Sequence, residues 1–230
     1  MPNNKVFRLS SLTRSTGQGG LHDFRVVRNR LQGYLRFNAL SFKGMWANIS
    51  SKARSGDIIS GHMKYGTPLL PEWDLRYVTL LRDPIDRVVS EYHYNRTNFK
   101  EIPGIRKVYR VGVDQIAGTR SLSDYLKCLS ENKSAYNPLT WFVTGRNDHD
   151  DAFTFLKSRY FHFGIIERLD LFSKQFEEKT GFPIKEKWEN RTDSKKRYNL
   201  NEKDLEMIQM MYERDINLFE KAREYVQIVR

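Results

Sequence analysis

The chain has 230 residues, with 39 Lys plus Arg against 28 Asp plus Glu and a formal net charge of +11. Hydrophobic residues make up 39% and aromatics 13%, too apolar for a disordered chain, and the length suits one well-buried core, so a single domain over residues 1–230 is expected. No apolar run approaches the roughly 20 residues that span a bilayer, and no apolar signal core follows Lys5, Arg8 and Arg14, which points to a cytoplasmic protein. The single cysteine, Cys128, excludes an internal disulfide and any multi-cysteine zinc site. The positive excess predicts an anionic partner (phosphate, sulfate, a polyanionic sugar or nucleic acid), and charge alone does not choose among them.

In chain order, the first residues are polar and broken, with Thr16-Gly17-Gln18-Gly19-Gly20 reading as a loop, so residues 1–22 are expected to be flexible. From Phe24 to Leu40 and from Phe42 to Ala53 the pattern is loosely helical. Asp57–Ser60, Tyr77–Leu81 and Phe161–Ile166 are too short for helices and rich in β-branched or aromatic residues, and they read as buried strands. A helix is expected over Pro84–Asn98, with Asp83 as N-cap and Pro84 at its first position. On it Ile85, Val88, Val89 and Tyr92 fall at i, i+3, i+4 and i+7 and should face the core. Shorter helices are expected over Ser121–Glu131 and Asp150–Ser158. Leu169, Phe172 and Phe176 mark another, which Gly181 should end. The last helix starts at Asn201 and carries one apolar stripe through Leu205, Ile208, Tyr212, Ile216, Phe219 and Val226. Strands alternating with helices predict an α/β fold with a largely parallel sheet, whose ligands sit beyond the carboxyl ends of the strands.

Those ends carry Gly61-His62, Arg82-Asp83 and Glu167-Arg168. Arg82 leaves its strand beside a helix N-terminus, where a planar guanidinium can pair two phosphate oxygens and Ser90 can add a hydroxyl. An equally simple arrangement pairs Arg82 with Asp83 or Asp86, and Arg87 with Glu91. His62 has a reference pKa of about 6.5, suited to deprotonating a hydroxyl; a histidine tied to a neighbouring loop fits as well. The run Arg191 to Arg197 holds four cations and one acid within seven residues.

The ordered set of segments resembles a known family. Leu81-Arg82-Asp83-Pro84, then Arg87, Ser90 and Tyr92, resembles the 3′-phosphate motif of sulfotransferases that use PAPS (3′-phosphoadenosine 5′-phosphosulfate). The carbohydrate branch that includes heparan sulfate 2-O-sulfotransferases is the most similar. Ser60-Gly61-His62-Met63-Lys64-Tyr65 resembles its Gly-His segment, and Phe163 to Asp170 its strand-Glu-helix segment. Asp215, Leu218-Phe219 and Ala222 resemble its last helix. The resemblance implies a P-loop-NTPase-like three-layer α/β fold, PAPS as sulfate donor and no metal. It makes His62 the general base, gives Arg82 and Ser90 to the 3′-phosphate, and places Arg191 and Lys195 in a cofactor-covering loop. The acceptor is a carbohydrate hydroxyl on an oligosaccharide or polysaccharide, with Lys64, Trp141 and Arg146 as candidate contacts.

One element of the family is missing. The Pro-Lys-x-x-x-[ST] loop that cradles the 5′-phosphosulfate should precede His62 by a few dozen residues. Ser15 to Gly20 has small residues but no lysine and no strand before it, so it reads as a surface loop. The first strand and its loop are therefore expected to be absent, through N-terminal truncation or through decay to an inactive nucleotide-binding remnant, and the chain as given is expected to transfer no sulfate. A truncated start would also have removed any membrane anchor, which leaves the Golgi lumen as the alternative location. The remaining reading, a basic nucleic-acid-binding module, lacks an RNA-recognition signature or a dominant basic helix, so a nucleic-acid partner is not expected. Asp148-His149-Asp150-Asp151 reads as an acidic loop capping the helix from Asp150 rather than as a metal site. The sequence does not fix the oligomeric state.

Overall fold

The computed structural model describes residues 6–12, 23–26, 58–61, 64–66, 75–101, 113–184 and 200–228. The chain divides into two compact units, Met1–Trp73 and Asp74–Arg230, each taken by itself.

In the first unit, β1 (Val6–Leu12), β2 (Asp23–Val26) and β3 (Ile58–Gly61) form a sheet of order β2-β1-β3. β1 is antiparallel to β2, with Leu9 opposite Val26, and parallel to β3, with Val6 opposite Ile58 and Leu9 opposite Gly61. Three expectations change here. A strand does precede Ser15, and part of the segment expected to be flexible is the centre of a sheet. Its mixed polar pattern is weak locally, but a central strand gains ladder bonds on both sides, which outweighs intrinsic preference. Asp23–Val26 is a strand rather than the start of a helix, because Asp-Phe-Arg-Val alternates with period two. The remainder of the expected helices over 24–53 lies outside the described residues.

The second unit holds β4 (Tyr77–Leu81) and β5 (Tyr160–Ile165), paired in parallel with Leu81 opposite Ile165. Parallel pairing demands a long crossover. Here it includes α1 (Pro84–Glu101), α2 (Val113–Thr119), α3 (Leu122–Ser130), α4 (Pro138–Thr144) and α5 (Ala152–Arg159). After β5 come α6 (Leu169–Thr180), α7 (Glu202–Met211) and α8 (Glu213–Ile228). The unit is α/β, mostly helical with a small parallel sheet.

Two apolar clusters hold it together. In one, Val88, Val89 and Tyr92 of α1 meet Ala117, Tyr125, Leu126, Ile208, Met211 and Tyr212, so the expected core face of α1 is the buried one. In the other, Leu81 and Ile165 at the strand ends pack with Val143, Leu156, Leu218, Phe219 and Ala222. α6 lies so close to β5 that a Cβ on Gly164 would come within 2.8 Å of the Phe172 ring. Gly181 ends α6 with φ 69°, as expected. β4 is not buried on both faces: Val78 and Leu80 are exposed, while Leu81 is fully buried. An apolar run without alternation could not reveal this difference between faces.

His162 on β5 is 4% exposed and stacked on Phe172. Its Nε2–H donates to the Phe172 carbonyl at 3.1 Å, which leaves Nδ1 to accept from the Lys179 ammonium at 3.2 Å. A neutral ring satisfies both bonds, and loss of hydration, then the Lys179 charge, push its pKa below the usual histidine value despite the carbonyl. The unfolded chain therefore binds this proton at higher pH than the fold does. The stability that His162 contributes is present above about pH 6.5 and is lost as pH falls toward its depressed folded value, at no more than about 1.4 kcal/mol per unit. His162→Phe, which keeps the stack but cannot titrate, should flatten the difference in urea midpoint between pH 7.5 and pH 5. An unchanged pH slope would show that His162 is not its source.

Candidate functional site

The turn from β4 into α1 is fixed by Asp83. Its Oδ1 accepts from the backbone N–H of Ile85 at 2.8 Å and of Asp86 at 3.3 Å, and Arg87 N–H closes the first helical bond on the Asp83 carbonyl at 2.8 Å. Asp83 is the expected N-cap, with a consequence for the site. The helix donors that could have faced an anion are already taken by a carboxylate. Anion recognition at this strand end falls to side chains.

Arg82, half-buried, swings across the first two turns of α1, and its Nη1–H donates to Ser90 Oγ over 3.4 Å. The structure thus brings together the two residues paired by the sequence reading. No ion pair joins Arg82 to Asp83 or Asp86, or Arg87 to Glu91, among the described residues. A long neutral-acceptor bond is weak, so Arg82 keeps most of its capacity for an incoming anion.

Beside it stands Glu167, in the 3₁₀ turn Ile166–Arg168 that follows β5. Partial loss of hydration raises its pKa first. Its own backbone N–H works against this, Asp83 and Asp86 add to the rise, and Arg82 opposes it. Glu167 thus feels two carboxylates, Asp83 and Asp86, against the Arg82 guanidinium. Sequence reading placed Glu167 at a strand end and in a family segment but gave it no role. Its place at the same end of the sheet as Arg82 follows from the β4/β5 register, which sequence spacing does not disclose.

Arg87 has a different setting. It lines a small cavity with Glu91, Tyr212 and Asp215. Asp215 is fully buried, and its two oxygens accept from the backbone N–H groups of Leu139 (2.8 Å) and Thr140 (2.7 Å), the first turn of α4. In return Asn137, the residue before α4, accepts on Oδ1 from Arg214 N–H at 3.1 Å and Asp215 N–H at 3.4 Å, the first turn of α8. Each helix start is capped by the other's side chain. Asn137 adopts φ 48°, a left-handed backbone that Asn tolerates better than most residues. Burial pushes the Asp215 carboxyl up, while the Thr140 and Leu139 donors and the Arg87 guanidinium hold it down. Burial also raises the Tyr212 phenol, with Glu91 adding to it.

This clamp explains a further correction. The single C-terminal helix expected from Asn201 is two, α7 and α8, separated at Tyr212. Asn201 caps the first through Asp204 N–H at 2.8 Å. Ile208, Tyr212 and Phe219 of the expected stripe are buried, so the periodicity survived a break that it could not report.

The other candidates separate. Lys64 is half-buried and belongs to the first unit. Trp141 lies half-buried on α4, edge-on to Phe142 at 4.9 Å. Arg146 is exposed and paired with Asp148 at 3.0 Å, which raises the arginine and lowers the aspartate pKa through the shared bond. The helix expected from Asp150 begins at Ala152. Its cap is Asp151, through Thr154 N–H at 3.2 Å, and Asp150 instead pairs with Arg214 at 2.9 Å. His62, Arg191 and Lys195 lie outside the described residues. Among the described residues no helix is long and apolar enough to cross a membrane, and no group of His, Cys, Asp or Glu is placed to hold a metal ion.

Comparison with protein-family models finds no match, and comparison with curated protein sequences finds none either.

Proposed function

We propose that the chain is a PAPS-dependent carbohydrate sulfotransferase with a P-loop-NTPase-like sulfotransferase fold. The observation that carries this reading is the Arg82–Ser90 pair where β4 passes into α1, at the carboxyl end of a parallel strand. A guanidinium and a hydroxyl converging at that place suit the 3′-phosphate of the nucleotide. The carboxylates around Arg82 make further cations necessary, and Arg191 and Lys195 of the basic loop supply them in this proposal.

In the reaction, an acceptor hydroxyl oxygen attacks the sulfur of PAPS. The sulfur–oxygen bond to the 5′-phosphate breaks, and adenosine 3′,5′-bisphosphate leaves. His62 takes the hydroxyl proton. Lys64, Trp141 and Arg146 are assigned to the sugar. Holding the nucleotide and acceptor in line supplies much of the rate.

Two measurements test the reading. Calorimetry should show adenosine 3′,5′-bisphosphate binding at least about tenfold tighter than adenosine 5′-monophosphate, because only the former offers a 3′-phosphate to Arg82. The chain as given should transfer no sulfate from labelled PAPS to a panel of oligosaccharides, and supplying a strand with a Pro-Lys-x-x-x-[ST] loop should give a sulfated sugar. Nucleotide binding without transfer even then would favour an inactive remnant. Salt-dependent binding of random oligonucleotides without bisphosphate preference would favour a nucleic-acid module.

A further inference from the structure

Arg82 reaches Ser90 from the strand end, across the first two turns of α1, so an anion held by this pair lies on the helix surface around Ser90. On a helix, the residues three and four places away flank a given side chain. Toward the start of α1 the flanks of Ser90 are Asp86 and Arg87; toward its end they are His93 and Tyr94. Asp86 is an exposed carboxylate, which repels an anion and favours the other flank. Arg87 lines the separate cavity that holds Tyr212 and Asp215. One turn beyond Ser90, Tyr94 is exposed and His93 half-buried. The His93 ring rests edge-on against Tyr92, with centroids 5.1 Å apart. Tyr92 is itself buried, and its hydroxyl donates to the Arg120 carbonyl at 2.9 Å, so the support under His93 is fixed.

We infer that His93 is a third ligand of the nucleotide 3′-phosphate, its ring N–H donating to an oxygen beside those taken by Arg82 and Ser90. The inference rests on the phosphate reading of Arg82 and Ser90 proposed above, and gives a role to a residue which that reading leaves unassigned. The chemistry suits the place. Asp83 already occupies the first N–H groups of α1, so the phosphate depends on side-chain donors. Three terminal oxygens accept more bonds than one guanidinium fork and one hydroxyl provide. An imidazole carries at least one N–H in either protonation state, so it donates to an anion whether or not it is charged. A ring already held against Tyr92 loses little freedom when it binds, which makes the contact cheaper than one from a long, solvated lysine.

The test is calorimetric titration of the full chain, of His93→Phe and of His93→Gln with adenosine 3′,5′-bisphosphate and with adenosine 5′-monophosphate. Phenylalanine keeps a ring against Tyr92 and removes the donor; glutamine keeps a donor and removes the ring. His93→Phe should weaken bisphosphate binding about tenfold, the scale of one hydrogen bond to a charged acceptor, and leave the monophosphate nearly unchanged. His93→Gln should recover part of that loss, which a purely packing role would not allow. Both ligand-free variants should unfold thermally like the wild type, since His93 belongs to neither apolar cluster. Wild-type bisphosphate affinity in His93→Phe, or equal losses for both nucleotides, overturns the inference; the phosphate site still stands if Arg82→Ala alone abolishes the bisphosphate preference. A wild-type chain with no preference for the bisphosphate overturns both together.

Discussion

Asp215→Ala should lower the stability of the chain by about 3–5 kcal/mol, read as a fall in urea midpoint with unchanged m-value. The side chain is fully buried and accepts two short bonds from Leu139 and Thr140 N–H. Alanine leaves both donors unpaired in a dry site, at about 1–3 kcal/mol each, and removes a carboxylate that shares a small cavity with Arg87. Asp215→Asn keeps an acceptor without the charge that burial opposes, so it should recover about half of the loss. Asn137→Gly separates the two halves of the clamp. Glycine tolerates the φ of 48° but cannot cap α8, and the loss should be about 1–2 kcal/mol, the ordinary worth of a helix cap. A cost below about 1 kcal/mol for Asp215→Ala would mean that α4 and α8 do not depend on each other.

Arg82→Ala should weaken adenosine 3′,5′-bisphosphate binding by about 1.5–3 kcal/mol, roughly 10- to 150-fold. Adenosine 5′-monophosphate should be affected much less, because it lacks the 3′-phosphate. The apo fold should tolerate the change, since Arg82 makes one long bond to Ser90 and no ion pair among the described residues. Arg82→Lys should recover only part of the loss, for a point charge cannot span two phosphate oxygens as the guanidinium fork does. Equal losses for both nucleotides would move Arg82 into a structural role. Thermal unfolding without ligand separates these outcomes from misfolding.

Much of the second unit was legible residue by residue. Asp83-Pro84 announced the start of α1 because a capping carboxylate and a proline with fixed φ suit only those positions. Gly181 announced the end of α6 because the left-handed turn there costs glycine little. Tyr77–Leu81 read as a strand because the run is too short for a helix and rich in β-branched and aromatic residues, and Arg82 with Ser90 stood out through the family resemblance and the position of Arg82 beside a helix start.

What the sequence determined by itself was therefore local: caps, periods, strand candidates, and the charge types near Arg82. Tertiary structure decided the rest, because it depends on contacts between residues far apart in the chain. β1 is a strand through its two neighbours rather than through its own pattern. α7 and α8 are separate because Asn137, more than seventy residues upstream, offers a cap that solvent would otherwise have to provide. Glu167 came within the electrostatic reach of Arg82 only when the register of β4 against β5 was set, since Coulombic energy follows distance in space and sequence separation carries no such information.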